Sequence, residues 1–148
     1  MLQTCVPPLP ATLIVCPDGE DQRALTEILG LAGWNTVCVC SYAQAAQYLE
    51  RQETPVVITA RDLPDGNWKA LLNLLTRMAF PPKLIVTAKL ADDHLWAEVL
   101  NLGGFDVLAQ PFDHAEVARS VGQACRTWNR EARGLDATLA HAASHTTE

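Results

Sequence analysis

The stretch Pro55–Gly66, PVVITARDLPDG, decides the fold. Its apolar run Val56–Ile58 is β-branched, and it is bounded by Pro55 on one side and by the turn signal Pro64–Gly66 on the other. A short run closed by breakers at both ends is typical of a strand buried on both faces, as strands of parallel sheets are. In an open α/β sheet, functional groups lie where such a strand ends and its loop begins. This strand ends at Thr59–Ala60, with no carboxylate at its tip.

Four more apolar runs of the same type predict a five-stranded sheet. The predicted strands are Thr12–Cys16, Trp34–Cys40, Val56–Ala60, Lys83–Thr87 and Phe105–Ala109. Helical spacing of apolar residues after each strand predicts five helices. These are a helix carrying Leu25, Ile28 and Leu29, then Tyr42–Gln52, Asn67 to about Ala79, Ala91–Leu102 and Asp113 to about Arg130. Because each crossover has helical length, we expect a doubly wound α/β fold with a parallel sheet and helices on both faces.

Composition bounds the classes of function. The chain has 148 residues, which fits one domain with a real core, and 49% of them are hydrophobic. A net charge of −6 argues against direct nucleic-acid binding. No apolar run reaches the roughly 18 residues that span a bilayer, so no membrane segment is predicted. Five cysteines without metal-like spacing fit a reducing cytoplasm better than a disulfide framework.

The composition and the predicted elements divide the chain into three parts. Residues 1–10 are Pro-rich and are expected to be a flexible lead-in. They have no basic n-region, and their prolines interrupt the apolar part, so no signal peptide is predicted. Residues 11–130 form the predicted domain. Residues 131–148 are rich in Ala, His, Ser and Thr, which leaves open a helical extension or a disordered tail.

Several motifs resemble the receiver domain of response regulators. They are the strand–helix order, Thr87–Ala88 at the end of strand four, Gly103–Gly104 before strand five and the Gln110–Phe112 corner. The resemblance covers about residues 11–130. It implies a flavodoxin-like sheet with strand order 2-1-3-4-5 and a site above the carboxyl ends of strands one, three and four.

The resemblance also implies which residues a working site needs. Two carboxylates after strand one help to hold Mg²⁺, a carboxylate at the end of strand three accepts the phosphoryl group, and a lysine after strand five neutralises its charge. Carried onto this sequence, the acidic pair falls on Cys16 and Pro17, the phosphoacceptor on Ala60 and the lysine on Gln110. The hydroxyl position is kept as Thr87. We therefore predict a degenerate pseudo-receiver with no catalytic residue, no metal site and no cofactor.

Two carboxylates and one thiol remain near the predicted pocket. Asp18 and Asp62 are candidates for a displaced acceptor or metal site, but Asp commonly sets turns and helix starts, and we favour that role. Cys16 replaces an acid and is a candidate for a partly exposed redox thiol, which needs a lowered pKa. Core packing is the more common role of a cysteine, and we expect it for Cys38 and Cys40 also.

An interaction surface is predicted on helix four, strand five and helix five, where receivers dock their partners. The apolar stripe predicted to pack helix four on the sheet consists of Leu95, Val99 and Leu102. Trp96 turns away from this stripe and is a candidate anchor, although its own helix neighbours would also half-cover it. Val107 occupies the position of the family's aromatic switch. The predicted surface comprises Trp96, Val107, Pro111 and Phe112.

The preferred hypothesis is a non-enzymatic, cytoplasmic signalling or adaptor domain in a two-component pathway, acting without phosphorylation. Its partner would be a protein, namely a sensor kinase, a regulator or an output protein. The same hypothesis includes a possible homodimer, formed through helix four, strand five and helix five. The alternative is a sensor of a small ligand or of thiol oxidation that reuses the vacated pocket. An enzyme of other chemistry ranks last, because the sequence offers no nucleophile–base pair and no Gly-rich phosphate loop.

Overall fold

The structure, a computed structural model, describes residues 11–89 and 92–146, with side chains as far as residue 134. The predicted lead-in, residues 1–10, lies outside the described residues. The sheet strands are β1 (Thr12–Val15), β2 (Thr36–Val39), β3 (Val56–Ala60), β4 (Lys83–Ala88) and β5 (Asp106–Ala109). All neighbouring pairs are parallel, and the order β2-β1-β3-β4-β5 is the predicted one. The predicted doubly wound α/β fold is confirmed.

Five helices alternate with these strands, as the sequence predicts. They are α1 (Gly19–Leu31), α2 (Tyr42–Arg51), α3 (Trp68–Thr76), α4 (Asp93–Leu102) and α5 (His114–Thr146). The prediction for α3 is too long at its C-terminal end, because the N–H groups of Arg77 and Met78 bond three residues back and tighten the last turn. None of the described helices has the length and apolar character needed to cross a membrane.

The prediction for α5 is too short, because the helical backbone continues past Arg130 to Thr146. Two contacts hold the helix where it leaves the sheet. Trp128 Nε1 donates to the carbonyl of Phe80 at 3.3 Å, and Lys83 Nζ pairs with Glu131 Oε1 at 2.7 Å. The segment for which the sequence left open a helical extension or a disordered tail is therefore helical in its backbone as far as Thr146.

The core has two layers because strand side chains alternate between the faces of the sheet. One layer packs the side chains of α2, α3 and α4 against Leu13, Val15, Val57, Leu84, Val86 and Val107. The other layer packs α1 and α5 against Ile14, Cys16, Val56, Ile58, Ile85 and Leu108. β3 contributes to both layers and is buried from Val56 to Thr59, as the apolar run in the sequence predicts. It is the middle strand of the sheet.

The edge strand β2 departs from the sequence prediction. Cys38 and Cys40 are exposed, so the expectation that they fill the core is wrong. The reason is the sheet order, which leaves β2 with a neighbour on one side only. Cys38 Sγ contacts Thr26 Oγ1 of α1 at 3.3 Å, at the surface of the molecule.

The chain after β3 forms a short hairpin, in which Asp62–Leu63 pairs antiparallel with Gly66–Asn67. Asp65 at its turn reaches across to α2, where its carboxylate accepts from Tyr42 N at 2.8 Å and from Ala43 N at 3.0 Å. It thus satisfies backbone donors at the start of α2, which helix geometry leaves without a partner. These bonds, from Ala43 first, lower the pKa of Asp65. These two hydrogen bonds thus link the hairpin to α2, which lies about twenty residues earlier in the chain.

We predict that Asp65→Ala destabilises the fold at neutral pH, because two donors at the start of α2 lose their acceptor. The folded-state pKa of Asp65 is lowered, so its contribution is present above its unfolded-state pKa and is lost as pH falls through the folded-state value. Urea unfolding at pH 7 and at steps into the acid range measures this difference between variant and wild type.

Asp62→Ala is the matched control, since Asp62 is an exposed neighbour whose carboxylate accepts no hydrogen bond in the described part of the chain. It should unfold like the wild type at every pH. Equal stability of Asp65→Ala and wild type at neutral pH would show that the cap on α2 contributes nothing.

Candidate functional site

The carboxyl ends of β3, β4 and β5 border a depression of about 290 Å³. It is lined by Asp21, Ala60, Arg61, Asp62, Thr87, Ala88, Lys89 and Gln110. Four of the seven residues that the sequence assigned to this pocket are among them, namely Ala60, Asp62, Thr87 and Gln110. The parallel sheet brings them together, because the carboxyl ends of its strands share one edge.

Ala60 occupies the centre of this edge. It pairs with Thr87 in the β3–β4 ladder, and the next N–H, that of Arg61, donates to the carbonyl of Thr87 at 3.2 Å. Thr87 is buried, and its hydroxyl donates to the carbonyl of Thr59 at 3.5 Å. The end of β3 therefore presents a methyl group to the depression, beside a hydroxyl that faces the backbone.

Cys16, Pro17 and Asp18 do not line the depression. Cys16 is 2% exposed and packs in the α1/α5 layer, which agrees with the core role that the sequence favoured over a partly exposed redox thiol. Burial, opposed in part by a bond to the Asp18 carbonyl and reinforced by the nearby Asp21 carboxylate, raises the pKa of Cys16 to about 11. At neutral pH the thiol is protonated, which is the unreactive form.

The carboxylate of Asp18 caps α1. Its Oδ1 accepts from Glu20 N at 2.8 Å and from Asp21 N at 3.4 Å. Asp21, one helical turn after Asp18, does line the depression. Its Oδ2 lies 3.9 Å from Cys16 Sγ. Asp62 also lines it, from the hairpin after β3. Asp18 has the helix-start role that the sequence favoured for it.

Three charged residues of the depression were not predicted: Asp21, Arg61 and Lys89. Arg61 directly follows β3 and Lys89 directly follows β4, and position after a buried strand is the signal that would have found them. Neither belongs to an ion pair in the part of the chain that the structure describes, where the pairs are Lys69–Glu98 and Lys83–Glu131. Two cations and two carboxylates thus surround the methyl groups of Ala60 and Ala88.

The depression lacks the acidic pair by which the resemblance would hold Mg²⁺, and Arg61 and Lys89 offset the charge of its two carboxylates. Mg²⁺ needs hard oxygen ligands in near-ideal octahedral geometry. The positions to which the resemblance assigns the acidic pair hold a buried, protonated thiol and a proline, neither of which supplies a carboxylate oxygen. Residues 11–89 and 92–134 contain no group of three His, Cys, Asp or Glu side chains able to hold a metal ion.

The predicted interaction surface is brought together in part. Trp96 is 51% exposed and, with Val107, lines a second depression between α4, β5 and the start of α5. Pro111, which follows a cis peptide bond, is exposed. Phe112 is half-buried and packs against the α1/α5 layer. Leu102 was expected in the packed stripe of α4, but it is 51% exposed, because it is the last residue before the reversal at Gly103.

Gly103 and Gly104 end α4 for two different reasons. Gly103 has φ +109°, a left-handed conformation in which a side chain is strained. At Gly104 a Cβ would overlap Val99 Cγ1, so this position needs the absence of a side chain. Both glycines thus serve the turn from α4 into β5.

No protein-family model matches the chain, and a search of curated proteins finds no relative. Solved structures match it over most of its length. A signal receiver domain of an HD domain-containing protein from Pseudomonas fluorescens Pf-5 is 24% identical, with 86% of this chain and 95% of that chain covered and a TM-score of 0.77. A CheY-like response regulator receiver domain protein from Methanospirillum hungatei is 18% identical, with 84% and 99% covered and a TM-score of 0.74.

A third match is the signal receiver domain of a signal transduction histidine kinase from Syntrophus aciditrophicus. It is 21% identical, with 80% of this chain and 91% of that chain covered and a TM-score of 0.70. These likenesses show that the chain has the receiver fold. At sequence identities of 18–24%, these structures show the fold of the chain and do not assign a role to any residue.

We predict that Cys16 resists alkylation in the native protein while Cys38 and Cys40 react. Burial and a pKa raised to about 11 keep Cys16 protonated at neutral pH, whereas the other two thiols are exposed. Iodoacetamide labelling at neutral pH, followed by peptide mass spectrometry, measures each site. Labelling in urea is the control, in which all thiols should react. Native labelling of Cys16 as fast as Cys38 would contradict the buried thiol.

Proposed function

We propose that the chain is a receiver-like signalling domain of the two-component type that acts through protein–protein contacts and accepts no phosphoryl group. Ala60 is the observation that carries this proposal. An acyl phosphate forms when a carboxylate oxygen attacks phosphorus. Ala60 pairs with Thr87 in the strand ladder, at the end of β3. Its side chain is a methyl group, which has no lone pair with which to attack phosphorus.

The groups around Ala60 support the same proposal. Transfer of a phosphoryl group needs cations placed against its charge before the reaction begins. Gln110 is neutral where the family pattern has lysine, and Cys16 and Pro17 stand in place of the acidic pair. One such change would be a variant of a working site. Four at one site remove the nucleophile, the metal ligands and the lysine after β5 together, and we propose that the chain is no enzyme.

A protein partner follows from what the fold retains. Both core layers are intact, and the outward face of α4 carries Trp96, an aromatic residue of the kind that anchors interfaces. We propose that a sensor kinase, a regulator or an output protein binds at α4, β5 and α5. Free thiols at Cys16, Cys38, Cys40 and Cys125 fit the reducing cytoplasm in which such proteins work.

A second candidate function is the binding of a small anion in the vacated pocket. The observation that favours it is the depression of about 290 Å³, in which Arg61 and Lys89 stand without ion-pair partners among the described residues. The thiol version of this candidate is disfavoured by the buried, protonated Cys16. Reversible binding of inorganic phosphate, weakened by Lys89→Ala and without covalent change, would favour the anion sensor.

We predict that the wild-type protein gains no phosphoryl group from acetyl phosphate and Mg²⁺. Intact-mass spectrometry at neutral pH measures the modification directly, with an active receiver domain as the control for the donor. Ala60→Asp alone should also stay unmodified, because the metal ligands and the lysine are still missing. A stoichiometric phosphoryl adduct on the wild type that disappears in Asp62→Asn would overturn the proposal and identify Asp62 as a displaced acceptor.

A further inference from the structure

Helix α4 presents an apolar face to solvent beside β5 and the start of α5. Trp96 and Leu100 are four residues apart, so they lie on the same side of the helix, and both are exposed. Trp96 and Val107 line a depression of about 430 Å³. Tryptophan is enriched among the residues that anchor protein interfaces.

The polar border of this depression is entirely acidic. Its carboxylates come from all three elements and their junctions: Asp92, Asp93, Asp106 and Glu116. Among the residues whose side chains the structure describes, no Lys, Arg or His lines it. Lys89 lines the other depression, at the strand ends, and Arg119 on α5 does not reach this one. We call the face formed by Trp96, Leu100, Val107 and these four carboxylates the acidic α4 face.

Two of the four carboxylates are fixed in place by hydrogen bonds. Asp92 accepts from Leu95 N at 2.9 Å, and Asp106 accepts from Val107 N at 2.8 Å and from Ser120 Oγ at 2.6 Å. Neither carboxylate belongs to an ion pair within the described ranges 11–89 and 92–134.

The other two carboxylates are available to a partner. Within the described part of the chain, the side chains of Asp93 and Glu116 accept no hydrogen bond and form no ion pair. The face therefore offers an aromatic anchor, a preorganised negative border and two carboxylates with no other described role. Arginine suits this combination, since its guanidinium stacks on indole and pairs with carboxylates.

We propose that the partner docks on the acidic α4 face through a basic amphipathic segment, with an apolar or arginine side chain on Trp96 and cations against Asp93 and Glu116. This inference rests on the proposed function as a protein-contact domain and adds the chemistry of the partner. It argues against a homodimer through the same face, because a two-fold axis would bring like charges together.

The test uses the full chain and two synthetic amphipathic peptides that share their apolar residues. One carries arginine at every polar position and the other carries glutamate there. Isothermal titration calorimetry gives the affinities, and the NMR signal of the Trp96 indole N–H locates the site. We expect the arginine peptide to bind and to shift this signal, and the glutamate peptide not to bind.

Variants separate this face from general attraction to an acidic protein. Asp93→Asn with Glu116→Gln should weaken binding of the arginine peptide about tenfold, and Trp96→Ala by a similar factor. Glu20→Gln with Glu53→Gln removes the same charge at exposed positions elsewhere, one of them also in a first helical turn, and should change affinity less than about twofold. Circular dichroism checks that each variant is folded.

Three outcomes would overturn the inference. They are equal binding of both peptides, equal weakening by the two double variants, and self-association of the wild type that Trp96→Ala abolishes. The phosphoryl-transfer test distinguishes failure of this inference from failure of the proposed function. If the protein is phosphorylated and still binds the arginine peptide at Trp96, the proposed function is refuted and the inference about the acidic α4 face stands.

Discussion

The burial of β3 on both faces sets the arrangement of the other strands and helices. Each Val or Ile side chain moved from water into a core contributes about 1.5–3 kcal/mol, and β3 supplies such residues to both layers. A strand covered on both sides must have neighbours on both edges and helices above and below. Its carboxyl end then opens next to that of β4, so the place of any site is set by the sheet and not by the chemistry performed there.

The same constraint explains what the sequence could predict. Strand and helix positions follow from apolar periodicity and local caps, and Ser41 and Asp113 accept from the N–H groups of Gln44 and Glu116, as their spacing suggests. Half of the pocket follows as well, because Ala60 and Thr87 stand at strand ends. These are properties of neighbouring residues, which a sequence displays directly.

The remaining features depend on distant parts of the chain. The exposure of Cys38 is a consequence of sheet order, and the bond from Tyr42 N to Asp65 joins a loop to a helix 23 residues away. The sequence does not single out Asp21, because only the structure shows that the first turn of α1 brings its side chain to the depression. The path of each loop determines which side chains reach the depression. Loop paths cannot be predicted from the spacing of apolar residues.

We propose that the chain keeps the receiver fold and has lost the groups that form an aspartyl phosphate. An amide NMR titration with Mg²⁺ and beryllofluoride, a non-covalent mimic of the phosphoryl group, tests this most directly, with Mg²⁺ alone as the reference. We expect no saturable shifts at residues 16–18, 60–62 and 87. Saturable shifts confined to those residues, present with beryllofluoride and absent with Mg²⁺ alone, would contradict it.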